Sequence, residues 1–120
     1  MKKRVMIVDD SRLVRVQLGD VLEGTDYEIV AYCRSGEDAI AQYDEINPDI
    51  VTMDIIMQGM DGLDASEHIL RKHPDARIIM VSSLAYDDTF ERAKAIGAKG
   101  FVDKPFHKEQ LLKVFEQALS

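Results

Sequence analysis

The 120-residue sequence has no tryptophan, one cysteine, three prolines and only 7% aromatic residues. A lone Cys33 excludes an internal disulfide, so a packed core must hold the chain together. No apolar run approaches the ~20 residues that span a bilayer, and the start, Met1 to Arg4, lacks the apolar stretch of a signal peptide. The expected compartment is the cytoplasm. Positive charge is also in deficit: 15 Lys and Arg against 22 Asp and Glu give a net −7. That sign opposes attraction to phosphate backbones and anionic lipid, which disfavours direct nucleic-acid or membrane binding. Low-complexity tails and linkers are absent. What is present is 46% hydrophobic and 31% charged residues, the balance of a folded domain. The length suits one domain over residues 1–120, with no room for an attached effector domain.

Short β-branched runs alternate with longer stretches at helical spacing, the pattern of a parallel sheet covered by helices on both faces. The first run spans 4–8, after which Val14, Leu18 and Leu22 share a helical face that Gly24 ends. The second, 28–33, is the least apolar and reads as an edge strand. Ser35 stands three before Asp38 as a capping-box-like start for a helix carrying Ala39, Ile40 and Tyr43. Asn47-Pro48 breaks that helix before a third strand, 50–53. A loop over 55–62 leads to a helix with Leu63, Ile69 and Leu70, and Pro74 lies beyond its end. Strand four, 78–81, precedes a helix from about Asp87 to Gly97 with Phe90, Ala93 and Ile96 inward. Strand five, 100–102, precedes a last helix presenting Leu111, Leu112, Phe115 and Leu119.

Ligands of open parallel sheets bind beyond the carboxyl ends of the strands, where strand order reverses. Asp9 and Asp10 follow strand one, Asp54 strand three, Ser82 strand four and Lys104 strand five. An aspartate at a strand end is often only a helix cap. Two adjacent ones together with Asp54 and Lys104 outweigh that reading. Three carboxylates at one edge need a compensating cation, and oxygen-only donors favour a hard ion such as Mg²⁺ that shares its shell with a phosphoryl group. Lys104 then serves as a point charge and the Ser82 hydroxyl as a donor to that group. A carboxylate so placed is a nucleophile toward phosphorus, giving an aspartyl phosphate. Spacing alone does not choose which aspartate attacks.

Asp9-Asp10, Asp54 followed by Met57 and Met60-Asp61-Gly62, Ser82-Ser83, and Phe101 with Lys104-Pro105-Phe106 together resemble the receiver domain of two-component response regulators. The resemblance runs over essentially the whole chain and is strongest to single-domain chemotaxis regulators. It implies a doubly wound (βα)5 α/β fold with strand order 2-1-3-4-5, which flavodoxin and the chemotaxis regulators share. It also implies that Asp54 accepts the phosphoryl group, that Asp9, Asp10, Asp54 and the Ile56 carbonyl hold Mg²⁺, and that Lys104 pairs with the phosphoryl group. Ser82 becomes the switch hydroxyl and Phe101 the switch aromatic, and the Lys104-Pro105 bond is cis. The implied partners are a histidine kinase and a downstream target such as the flagellar motor switch. That target would meet the helix 4, strand 5, helix 5 face around Tyr86, Phe90, Phe101, Lys104 and Phe106. The implied activity is a signalling receiver that catalyses only its own phosphoryl transfer and slow autodephosphorylation. A monomer is expected, with phosphorylation-driven dimerisation left open, and phosphorelay or transcription-regulator receivers are the alternative settings.

Two features depart from the family pattern. Gln58 follows Met57 where proline is usual, so Gln58-Gly59 leaves that loop more freedom. Ile56 and Leu84, which flank the approach of hydrolytic water, are both apolar and cannot activate it, implying slow loss of the phosphoryl group. His68, His73 and His107 lack ligand spacing and read as surface residues. A flavodoxin-like carrier would need a Ser, Thr and Gly-rich loop where Asp9-Asp10 stand. A phosphatase with Asp-x-Asp-x-Thr after strand one does not fit Asp9-Asp10-Ser11.

Overall fold

Ten elements alternate along the chain: β1 Lys3–Val8, α1 Arg12–Leu22, β2 Tyr27–Cys33, α2 Gly36–Ile46, β3 Ile50–Met53, α3 Gly62–Lys72, β4 Ile78–Ser82, α4 Asp87–Ile96, β5 Gly100–Asp103 and α5 Lys108–Leu119. The computed structural model describes residues 2–83 and 87–120, so the expectations for Leu84 and Tyr86 lie outside the described residues. The strands form one parallel sheet in the order β2-β1-β3-β4-β5, as the sequence reading anticipated. Among the described residues no helix is long and apolar enough to cross a membrane.

Burial follows from that topology. Every residue of β3 and β4 is buried, whereas only Cys33 is buried in β2, the edge strand. Side chains alternate across the pleat. Val5, Ile7, Ile50, Ile79 and Val81 point to the side of α1 and α5, joining Leu18, Leu22, Leu111 and Phe115. Met6, Val8, Val51, Met53, Ile78 and Met80 point to the other, joining Ala39, Ala65, Ile69 and Ala93. The sheet thus separates two cores.

Local signals set the helix ends. Ser11, Ser35 and Asp61 are N-caps whose side-chain oxygens accept the backbone N–H of Val14, Asp38 and Asp64 at 3.3, 3.1 and 2.8 Å. α2 ends on Asn47 in the left-handed region (φ 47°), and the Arg4 guanidinium donates to the carbonyls of Ile46 and Asn47 at 2.7 and 3.0 Å. Ser35→Ala leaves an N-terminal amide of α2 without its acceptor and should cost about 1 kcal/mol, read as a shift in the urea unfolding midpoint.

The strand over 50–53 has the expected bounds, and the other four extend by a residue at one end. One reading needs correction. Phe90 is not an inward residue of α4: it is 43% exposed, its ring tilted against Phe101 at 5.7 Å with the Lys94 ammonium 5.6 Å above it. The sheet ends at β5, so no further strand covers that ring. His73 lies at the surface, as read, with its ring 4.8 Å from Tyr43 and Nε2 2.7 Å from the Asp44 carboxylate.

Candidate functional site

Strand order reverses between β1 and β3, and both strands deliver an acid just past their last residue. The Asp9 N–H donates to the Cys33 carbonyl at 3.0 Å and the Asp54 N–H to the Val8 carbonyl at 2.9 Å, continuing the sheet's ladders one step beyond the strands. Asp9 is pinned further. Its Oδ1 accepts the Ser11 N–H at 2.8 Å and its carbonyl accepts a guanidinium N–H of Arg15 at 2.9 Å. Ser11, not Asp9 or Asp10, caps α1, so capping does not account for the two aspartates.

Lys104 follows β5, and its N–H donates to the Ser82 carbonyl at 2.9 Å. The Lys104-Pro105 bond is cis, as the resemblance implied. The Lys104 ammonium donates to Asp9 Oδ2 at 2.9 Å and Asp54 Oδ1 at 3.3 Å. Asp9 and Asp54 are buried and Asp10 is exposed, with a carboxylate oxygen of each within 4.8 Å of the others. Four residues named from the sequence, Asp9, Asp10, Asp54 and Lys104, therefore meet at one point.

The electrostatics of that point are unbalanced. Burial, then Asp9 and more weakly Asp10, push the Asp54 carboxyl up to about 6, and Lys104 offsets only part of the rise. Three carboxylates against one ammonium leave two negative charges when all are ionised, the charge a divalent cation would balance. Donors that are all oxygen suit a hard ion of the Mg²⁺ kind. The residues fit such a metal.

The other named residues surround this cluster. Ser82 is buried as the last residue of β4. Phe101 lies in β5, half-buried against the α4 side of the core and in ring contact with Phe90 rather than with the acids. Ile56 lies two residues past Asp54 with its side chain 62% exposed.

Two supporting residues escaped the sequence reading. Arg15 holds the Asp9 backbone from the first turn of α1. At Gly62, an added Cβ would stand 1.8 Å from the Asp54 carbonyl oxygen, and the Gly62 N–H donates to the Ile55 carbonyl at 2.7 Å. The Met60-Asp61-Gly62 run marked that glycine as a loop residue, but only the folded chain shows the main chain of the site resting on it.

A family model described as response regulator receiver domain matches residues 5–116. The chain belongs to that family. Chemotaxis protein CheY of Listeria monocytogenes is 39% identical to this receiver over 115 residues, 96% of this chain and 97% of that one. Chemotaxis protein CheY of Bacillus subtilis is 38% identical over 120 residues, the full length of both. Among solved structures, the CheX-CheY-BeF3-Mg²⁺ complex from Borrelia burgdorferi superimposes with a TM-score of 0.94 at 32% identity, covering 98% of this chain and 90% of that one. The protein is a CheY-like, phospho-accepting signalling receiver rather than a conventional enzyme, with its acidic pocket at Asp9, Asp10 and Asp54.

Proposed function

We propose that this receiver takes a phosphoryl group onto Asp54 from a histidine kinase in a Mg²⁺-dependent reaction, and that the modified protein binds the flagellar motor switch in chemotaxis. One observation carries the choice of Asp54. Asp9 and Asp54 are the two buried acids that the Lys104 ammonium reaches, and Asp10 is exposed; both Asp9 oxygens are engaged, Oδ1 by the Ser11 N–H and Oδ2 by Lys104, whereas among the described residues Asp54 is hydrogen-bonded only through Oδ1, by Lys104. Its second oxygen is available to phosphorus. The full-length similarity to CheY proteins supports the chemotaxis setting.

In the transfer, an Asp54 oxygen forms the O–P bond as the P–N bond to the donor imidazole breaks. The imidazole leaves with the electron pair and takes up a proton. Asp9, Asp10, Asp54 and the Ile56 carbonyl are the groups that would hold Mg²⁺, which when bound would supply charge neutralisation for this loose, in-line transfer. Lys104 turns its ammonium from the carboxylates to the phosphoryl oxygens, and the Ser82 hydroxyl donates to one of them. The new charge favours a packing in which Ser82 approaches it and Phe101 turns inward, altering the face of α4, β5 and α5 around Phe90, Phe101 and Phe106. By linkage, a target that prefers the altered face also stabilises the phosphorylated state.

Intact-mass spectrometry after incubation with acetyl phosphate tests the acceptor. One Mg²⁺-dependent phosphoryl adduct is expected on the wild type and none on Asp54→Asn; an adduct retained by the variant would move the acceptor elsewhere. Phe101→Ala should leave the adduct intact and equalise target affinity between the two states. A target that still distinguishes them would remove Phe101 from the switch.

A further inference from the structure

On the far side of the molecule from Phe101, α1 and the edge strand β2 enclose a groove of about 480 Å³ whose lining includes Arg12, Arg15, Val16, Gly19, Tyr32 and Arg34. It runs into a second hollow of about 310 Å³ that shares Gly19 and Tyr32. Gly19 leaves room on this wall: a Cβ there would stand in ordinary contact, 3.7 Å from the Tyr32 hydroxyl and 4.0 Å from Ile29 Cδ1.

Two properties mark this surface. Val16 and Tyr32, at 52 and 50% exposure, are two of the five most exposed large hydrophobics among the described residues, and both line the groove. The groove also carries three arginines against one acid, Asp20, in a chain of net charge −7. Arg15 is committed to the Asp9 carbonyl. Arg12 and Arg34 have no ion-pair or hydrogen-bond partner among the described residues. Unpaired guanidinium groups around exposed apolar side chains fit an apolar ligand that brings carboxylates.

The β2 edge argues for the shape of that ligand. The β1–β2 register shifts between Val5 and Met6, leaving Val30 as an extra residue opposite neither. A bulge of this kind blunts an edge against pairing with another strand. A helix laid along α1 needs no such pairing and meets Val16 and Tyr32 with one face.

We propose that the α1–β2 groove is a second docking surface, occupied by an acidic amphipathic helix of a partner protein without need of a phosphoryl group on Asp54. None of Asp54, Ser82, Phe101 and Lys104 lines it. It therefore acts as a standing anchor, separate from the face that the phosphoryl group remodels.

The test is a titration of the ¹⁵N-labelled full chain with a synthetic amphipathic peptide of about 18 residues, five helical turns, carrying Leu and Ala on one face and Glu on the other. Amide shifts are expected at residues 12–20 and 29–34. The affinity should be the same for Asp54→Asn and about tenfold weaker for the Arg12→Glu, Arg34→Glu double variant. Gly19→Leu, which fills the groove while favouring the helix, should weaken binding by a similar factor. A peptide with Lys for Glu should bind at least tenfold more weakly. Equal binding of the Lys peptide, absence of shifts, or shifts centred on Phe90, Lys94 and Phe101 would overturn the proposal. None of these readouts uses the phosphoryl group, so the outcome leaves the role of Asp54 to its own experiment.

Discussion

Gly62→Ala should destabilise the receiver by about 3 kcal/mol, the top of the usual range for an overfilled interior. The three atoms nearest the added methyl group are the Asp54 carbonyl oxygen at 1.8 Å, the Asp54 carbonyl carbon at 2.8 Å and Ile55 Cα at 3.0 Å. All are backbone, so no side chain can rotate away. Relief requires lifting the start of α3 off the Asp54 loop and stretching the 2.7 Å bond from the Gly62 N–H to the Ile55 carbonyl. Gly24→Ala is the natural control. It has nothing within 4 Å and suffers only its φ of +77°, which should cost about 1 kcal/mol. Urea unfolding of the two variants checks the contrast. Gly62→Ala within about 1 kcal/mol of wild type would show that the loop yields freely.

Asp54→Asn should raise stability by about 3 kcal/mol at pH 8 in metal-free buffer and change it little at pH 4. A carboxyl that titrates at about 6 in the folded chain and near 3.8 in the unfolded one holds its proton more tightly when folded. Folding is therefore favoured below the lower value, loses ground as pH rises between the two, and stays weaker above both. Asparagine removes the burden, and Lys104 keeps its partner in Asp9. Unfolding in EDTA across pH 4 to 8 measures the difference. Adding Mg²⁺ at pH 8 should narrow it, because a cation that binds only the folded wild type restores its stability. Equal stabilities at pH 8 without metal would mean that Asp54 ionises there at no cost.

Both residues show what a linear reading could and could not reach. Asp54 was legible because the strand-like run Ile50-Val51-Thr52-Met53 stopped on it, and a parallel strand places its next residue at the ligand-binding edge. The Ser35 cap was legible because its signal lies within one helical turn. Gly62 and Arg15 act through contacts with main chain that no periodicity encodes. Phe90 misled for a related reason. Spacing identifies which residues share a side of α4, but not how far β5 extends beneath them, and of Phe90, Ala93 and Ile96, the three expected to point inward, only Ala93 is fully buried. The meeting of His73 with Asp44 likewise depends on how α2 and α3 close against each other.

Lys104 is tied by its main chain to Ser82 on β4 and by its ammonium to the acids beyond β1 and β3. The ladders between these strands resist sliding, whereas a lysine stem can change rotamer within nanoseconds. A change of charge at the centre of the sheet can thus be relayed to its far margin without any strand shifting register. The parallel sheet is a stiff frame, and the four-carbon stem of Lys104 spans it as a flexible tether.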